Sequence, residues 1–274
     1  MKITKMHGAG NDFILIDNRE GVITNENELA ARLCERRLNI GADGLMTVEN
    51  SDCADIKMRI FNSDGSEAEM CGNGIRCFSL YVYDRGMVNG ECFTVETLSG
   101  VLRPEIIKGE NGNVAGVKVD MGGVRFEAQA IPMLSETPLE HTVNIGGKDV
   151  TLHACLMNIP HTVVIEGENE VTFEDFDTLA PLIEKHELFP KNTNVNFVRI
   201  IDDKTVFVRT WERGAGPTLA CGTGSCGVVC VLNKLGRVNS ECTVKLAAGE
   251  LFIEVGEHVF MTGPAKYVFE GEVL

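Results

Sequence analysis

Two short stretches hold the residue types best suited to chemistry, Cys71-Gly72-Asn73-Gly74 and Cys221-Gly222-Thr223-Gly224. Each sets a cysteine before a glycine-flanked polar residue, and an apolar run follows. A cysteine at a helix start meets unpaired backbone N–H groups and the positive end of the helix dipole, which favour its thiolate. The neighbouring glycines let the backbone approach a ligand closely. The N–H groups of Gly72, Asn73, Gly222 and Thr223 are then placed to hold a carboxylate, and to stabilise the charge that develops when the adjacent Cα loses its proton. One thiolate removes the proton from one face of that carbon, and one thiol returns a proton to the other. This is a two-base racemisation or epimerisation needing no cofactor, with the two stretches as halves of one active site.

The spacing supports the pairing. A shift of 150 residues lays 58–92 on 208–242 without a gap, with nine of 35 positions identical. Arg59 meets Arg209, Cys71 meets Cys221, and the segment from Gly86 to Cys92 meets that from Gly236 to Cys242. The register spans strand, loop, helix and next strand, so it implies two copies of one unit related by a pseudo-two-fold axis.

Around these stretches the pattern alternates short strands with few helices. Strands are predicted over 2–6, 13–17, 45–48, 56–61, 92–97, 101–107 and 114–120, and helices over about 25–37 and 74–83. The second half repeats this order. It has strands through Ile131, 143–145, 152–157, 162–165, 195–201 and 205–211, helices over 176–186 and from Cys221 to about Leu235, and four closing strands. The apolar spacing after Gly74 predicts a helix with one buried face. The expected domains are 1–118, rejoined by the C-terminal strand 263–274, and 119–262.

Composition narrows the function class. At 274 residues, with 44% hydrophobic and 24% charged residues, the chain is an ordinary globular protein. Its net charge of −15 and lack of a basic block argue against a nucleic-acid or anionic-membrane partner. No apolar stretch approaches 18 residues, so no membrane span is expected. The N-terminus lacks a secretory pattern, so the expected location is cytoplasmic. Cys34, Cys53, Cys92, Cys155, Cys230 and Cys242 sit among apolar or strand-like neighbours and read as reduced core residues. No C-x-x-C pair occurs, which argues against structural zinc and against a dithiol redox site. GTGSCG (222–227) matches G-x-G-x-x-G, but a loop rather than a strand precedes it, so a dinucleotide site is not expected. A lone cysteine nucleophile with a histidine base would leave the second cysteine stretch unexplained.

At MHGAGNDFILID (6–17), GADG (41–44), FNSDGSEAEMCGNGIRC (61–77), FPKNTNVNFV (189–198), WERGAGPTLACGTGSCG (211–227) and PAKYVFEG (264–271) the chain resembles the diaminopimelate epimerase family, essentially end to end. The resemblance implies an α/β (α+β) fold of two pseudo-symmetric domains, each of mixed strands wrapped around a central helix. It implies a homodimeric, cofactor-independent amino-acid isomerase converting LL- to meso-diaminopimelate for lysine and peptidoglycan precursors. Cys71 and Cys221 would be the acid/base pair, and Gly72, Asn73, Gly222 and Thr223 the donors to the substrate carboxylate. Asn11, Asn62, Asn158, Asn194, Glu212 and Arg213 would line the rest of the pocket. Arg213 would hold the distal carboxylate, His161 and Glu212 would tune the thiols, and Tyr267 would lie in the dimer interface. Two positions depart from the family pattern. Ile159 stands where a substrate-binding asparagine is usual, leaving Asn158 to supply the amide from one position earlier, and Gly44 stands where some members carry glutamine. A racemase of another amino acid such as histidine or glutamate, or a non-catalytic amino-acid-binding member, is therefore an alternative.

Overall fold

The structure, a computed structural model, describes residues 1–273. The chain forms two compact units, Met1–Asp120 with the chain from Thr262 onward, and Met121–Met261. The first unit holds β1 (Lys2–Gly8), β2 (Asn11–Asp17), α1 (Glu26–Leu33), β3 (Gly44–Glu49), β4 (Ile56–Asn62) and β5 (Glu67–Ala68). It continues with α2 (Gly72–Asp84), β6 (Val95–Thr97), β7 (Gly100–Leu102), β8 (Glu105–Lys108) and β9 (Val114–Asp120). Then come β10 (His141–Ile145), β11 (Lys148–Met157), β12 (Ile159–Ile165), α3 (Phe176–Glu184), β13 (Asn194–Asp202), β14 (Thr205–Glu212) and β15 (Gly216–Thr218). The chain ends with α4 (Gly222–Lys234), β16 (Glu241–Leu246), β17 (Gly249–Val255), β18 (Val259–Gly263) and β19 (Lys266–Glu272).

In the first unit the strands run β19-β1-β2-β3-β4-β6-β7, and in the second β10-β11-β12-β13-β14-β16-β17-β18. The seven strands of the first order match β10 to β17 of the second, and β18 extends the second beyond them. β2 with β3 and β12 with β13 are parallel, as are β4 with β6 and β14 with β16. The register repeats too: Ile60 pairs Ala68 and Phe61 pairs Glu67, while Thr210 pairs Thr218 and Trp211 pairs Pro217. The repeat seen in 35 residues of sequence thus extends to seven consecutive strands, β1 to β7 and β11 to β17, and two helices of each unit.

Each unit packs its peripheral helix on one apolar cluster. Leu29, Ala30 and Leu33 of α1 meet Ile14, Ile16, Leu45 and Phe61. Phe176, Leu179, Ala180 and Ile183 of α3 meet Val195, Phe197 and Phe189. Phe176 meets Phe197 edge-on with ring centroids 5.4 Å apart, a favoured aromatic geometry.

Several local expectations are corrected. α2 is buried all round from Asn73 to Val82, not along one face, because strands wrap it as a central helix. α1 stops at Leu33 rather than Arg37. Arg37 takes a left-handed φ of 74°, and Arg36 turns to reach Asp12 and Asp43 instead of continuing the helix. Pro104, which has no N–H for a ladder, separates β7 from β8 where one strand was expected. Ile131 lies in a turn rather than a strand. Cys53 and Cys92 are exposed, not core: Cys53 follows the Ser51 turn, and Cys92 Sγ accepts from Arg103 Nε at 3.1 Å.

Candidate active site

In the first unit Cys71 is the N-cap of α2, with extended backbone at φ −138° and ψ 121°. Its Sγ lies 3.5 Å from Asn11 Oδ1, and Asn73 Nδ2 lies 3.5 Å from the same oxygen. Asn11 Nδ2 donates to Asp43 Oδ2 at 2.7 Å. A carboxylate only accepts, so Asp43 sets the amide orientation that turns Asn11 Oδ1 toward Cys71. Asp43 also accepts the Asp12 N–H and pairs with Arg36 at 2.8 Å. Asp12 pairs with Lys5 at 2.7 Å and Arg36 at 2.6 Å. Burial raises the Asp12 carboxyl, but bonds from Arg36 and Lys5 and the Lys5 charge outweigh it and bring its pKa to about 2.

Arg76 is wholly buried one turn into α2. Its guanidinium donates to Gly72 O and Asn73 Oδ1, each at 2.9 Å, and to Pro264 O at 3.4 Å. It therefore fixes the first turn of the helix that Cys71 caps. Asn62, at the exposed end of β4, donates to Ser66 Oγ at 2.9 Å. Gly44 pairs with Asn62. A Cβ at Gly44 would sit 2.7 Å from Phe61 O, so a glutamine there requires the backbone to move.

In the second unit Cys221 caps α4 with a similar backbone, φ −122° and ψ 113°, and its Sγ accepts the Gly224 N–H at 3.4 Å. Thr223 Oγ1 lies 3.5 Å from that sulfur and 3.1 Å from His161 Nε2. His161 is wholly buried. Burial pushes its pKa down, the nearby Arg213 charge adds to the effect, and the result is about 3, so the imidazole is neutral. Its Nδ1 lies 3.3 Å from Asn196 Nδ2. The glycines of GTGSCG serve this packing. A Cβ at Gly224 would lie 2.5 Å from Asn196 Oδ1, and one at Gly227 would lie 3.1 Å from Cys155 Sγ and 3.5 Å from His161 Cβ.

Glu212 closes β14, and Arg213 opens the exposed turn after it. Asn194 is buried, accepting the Arg213 N–H at 3.0 Å and donating to Pro160 O at 2.9 Å. The buried Glu184 accepts from Trp211 Nε1 at 2.8 Å and from the Gly214 N–H at 2.9 Å. The turn is thus clamped on both sides of Arg213, whose Nη1 donates to Lys191 O. Asn158 is the exposed residue between β11 and β12, at a left-handed φ of 61° that asparagine tolerates. Ile159 begins β12 opposite Met157. Tyr267 lies on the exposed edge strand β19. Among the described residues, no cluster of His, Cys, Asp or Glu is placed to hold a metal ion.

A family model described as diaminopimelate epimerase matches residues 3–127 and 154–268. The chain belongs to the diaminopimelate epimerase family. It is 48% identical to the diaminopimelate epimerase of Caldanaerobacter subterraneus subsp. tengcongensis, over 100% of this chain and 99% of that one. It is 49% identical to that of Methanococcus maripaludis strain C5, with the same coverage of both chains. Among solved structures, the fold is similar to a probable proline racemase from Agrobacterium radiobacter K84, with TM-score 0.71 and 16% identity over 100% of this chain and 92% of that one. It is also similar to a methylitaconate-delta-isomerase, with TM-score 0.65 and 13% identity over 100% and 95%. At such identities the likeness concerns the fold alone.

Sequence reasoning singled out the family's motif residues and passed over their supports, namely Asp43, Arg76, Glu184 and Asn196. One signal for Asn196 was available. Asn194 and Asn196 stand two apart in an apolar strand, so they point to one face.

Proposed function

We propose that this member of the diaminopimelate epimerase family is an isomerase that inverts a Cα of diaminopimelate, LL to meso, without an added cofactor, in lysine and peptidoglycan precursor synthesis. One observation carries the reading: relatives of that name match end to end at 48–49% identity. The paired N-cap cysteines of two equally long, buried helices support the chemistry. Cys71 and Cys221 are the two bases, one for each face of the carbon. The amides of Gly72, Asn73, Gly222 and Thr223 bind the carboxylate at the reacting centre, and Arg213 binds the distal one bidentately. Asn11, Asn62, Asn158, Asn194 and Glu212 complete the pocket, with His161 and Glu212 acting on the thiols.

The proposed assembly is a homodimer formed through β19, supported by the exposed Tyr267, Val268 and Phe269. A cytoplasmic location is supported by the six cysteines from Cys34 to Cys242 named above as reduced, none of which is in a disulfide. Among the described residues no helix is long and apolar enough to cross a membrane.

The test is hydrogen exchange at Cα in D₂O with reduced protein and no pyridoxal phosphate, over diaminopimelate and a panel of L-amino acids. Deuterium should enter LL-diaminopimelate at least about a hundredfold faster than the others, a discrimination available to a site built to bind the distal polar groups. Faster exchange into histidine or glutamate would assign a different substrate and point to Ile159.

A further inference from the structure

Beside Cys221 a chain of polar side chains runs inward through Thr223, His161, Asn196 and Thr210. We infer that Asn196 is a positioning residue: it holds His161 in the Nε2–H tautomer, so that the Thr223 hydroxyl proton is directed at Cys221 Sγ. The inference deepens the proposed two-base function and rests on that reading for its catalytic meaning.

The direction of the chain follows from groups that can act in only one sense. Asn196 Nδ2 lies 3.3 Å from Thr162 O, a carbonyl that only accepts. Asn196 Oδ1 accepts from Thr210 Oγ1 at 2.9 Å. These two bonds fix the amide so that its NH₂ group faces His161 Nδ1 at 3.3 Å. Nδ1 must then accept, and in a neutral imidazole the proton resides on Nε2. Nε2 donates to Thr223 Oγ1 at 3.1 Å. With that lone pair occupied, the Thr223 hydroxyl turns its own hydrogen to Cys221 Sγ at 3.5 Å. The sulfur then receives two donors, this hydroxyl and the Gly224 N–H at 3.4 Å. Both stabilise the thiolate over the thiol. Asn196 and His161 are each wholly buried, so water cannot substitute for a missing donor without entering the core. Gly224 belongs to the same device, since a Cβ there would collide with Asn196 Oδ1.

Two measurements on the full chain test this. Long-range ¹H–¹⁵N spectra of labelled protein report the His161 tautomer, with the signal assigned by its loss in His161→Gln. The expected result is a proton on Nε2, and a proton on Nδ1 overturns the inference. Peptide-resolved alkylation with iodoacetamide then compares Cys221 with Cys71 in the same molecules. Asn196→Ala and Thr223→Val should each slow Cys221 alkylation roughly tenfold relative to Cys71, the effect of one hydrogen bond to a charged sulfur. Because Asn196 is taken to act through Thr223, the double variant should be no slower than either single one. Additive losses, or Cys221 reactivity unchanged in Thr223→Val, would overturn the relay. Thr223→Val also keeps the test open if Asn196→Ala does not fold. A wild-type chain that exchanges Cα hydrogen yet carries the proton on Nδ1 would lose this inference and keep the proposed function.

Discussion

Arg76 shows how much a single residue contributes to the candidate site without belonging to its motif list. A wholly buried guanidinium requires several acceptors, and it finds the Gly72 carbonyl, the Asn73 side chain and the Pro264 carbonyl. Asn73 in turn approaches Asn11, against which Cys71 rests. Replacing Arg76 with methionine keeps the apolar bulk and strands those acceptors. The expected loss is about 2–4 kcal/mol in stability, read as a lower urea midpoint. A change within about 0.5 kcal/mol would mean that the guanidinium is not holding the turn. The cysteines themselves were legible in sequence, because a thiol beside glycines at a helix start has few purely structural reasons to recur at a 150-residue spacing. Arg76 was not legible. It sits among apolar residues of a helix read as having one buried face, and an arginine there is ordinarily placed on the solvent side. His161 was legible only through the family resemblance, and Asn196 only as a second asparagine on the strand face of Asn194, since their roles lie in contacts across β12, β13 and α4.

At the level of elements, one charged cluster joins what the strand pattern treats separately. Lys5 comes from β1, Asp12 from β2, Arg36 from the segment after α1 and Asp43 from the turn before β3. The same cluster ends α1 early and orients Asn11. Within this cluster Asp12 has a structural part, paired with both Lys5 and Arg36. Its folded pKa of about 2 lies below the ordinary 3.8. A depressed carboxyl contributes stability that is complete above the unfolded pKa and is lost as pH falls through the folded one. The stability gap between wild type and Asp12→Asn should hold constant above about pH 5 and narrow steadily from about pH 4 toward about pH 2. Urea unfolding at a series of pH values measures it, and a gap that widened on acidification would contradict the pairing. Strand edges were mostly read within two residues, because alternation and glycine turns mark them locally. Residues 101–107 were expected as one strand although Pro104, inside that segment, cannot donate to a ladder.

At the scale of the molecule, two units of the same strand order each present a cysteine at the N-cap of a buried central helix of 13 residues. The repeat was detectable in sequence only across 58–92 and 208–242, where strand, loop and helix keep both length and glycines. Beyond that stretch the copies differ in connection length, as between β2 and β3 and between β12 and β13, and gapless comparison fails although the strand pairing is retained. The surroundings of the two cysteines also differ. Cys71 faces an asparagine oxygen near a buried arginine, whereas Cys221 accepts the Gly224 N–H and lies beside the Thr223 hydroxyl near a neutral histidine. The two thiols are thus proposed to be equally required and unequally tuned. Net inversion then needs both, which turnover of LL- and meso-diaminopimelate by Cys71→Ala and Cys221→Ala, with the fold verified, measures directly. Loss of an acid/base group should lower net epimerisation by about a hundredfold to ten-thousandfold in each variant and in both directions. Near-wild-type turnover by either variant would contradict the two-base account.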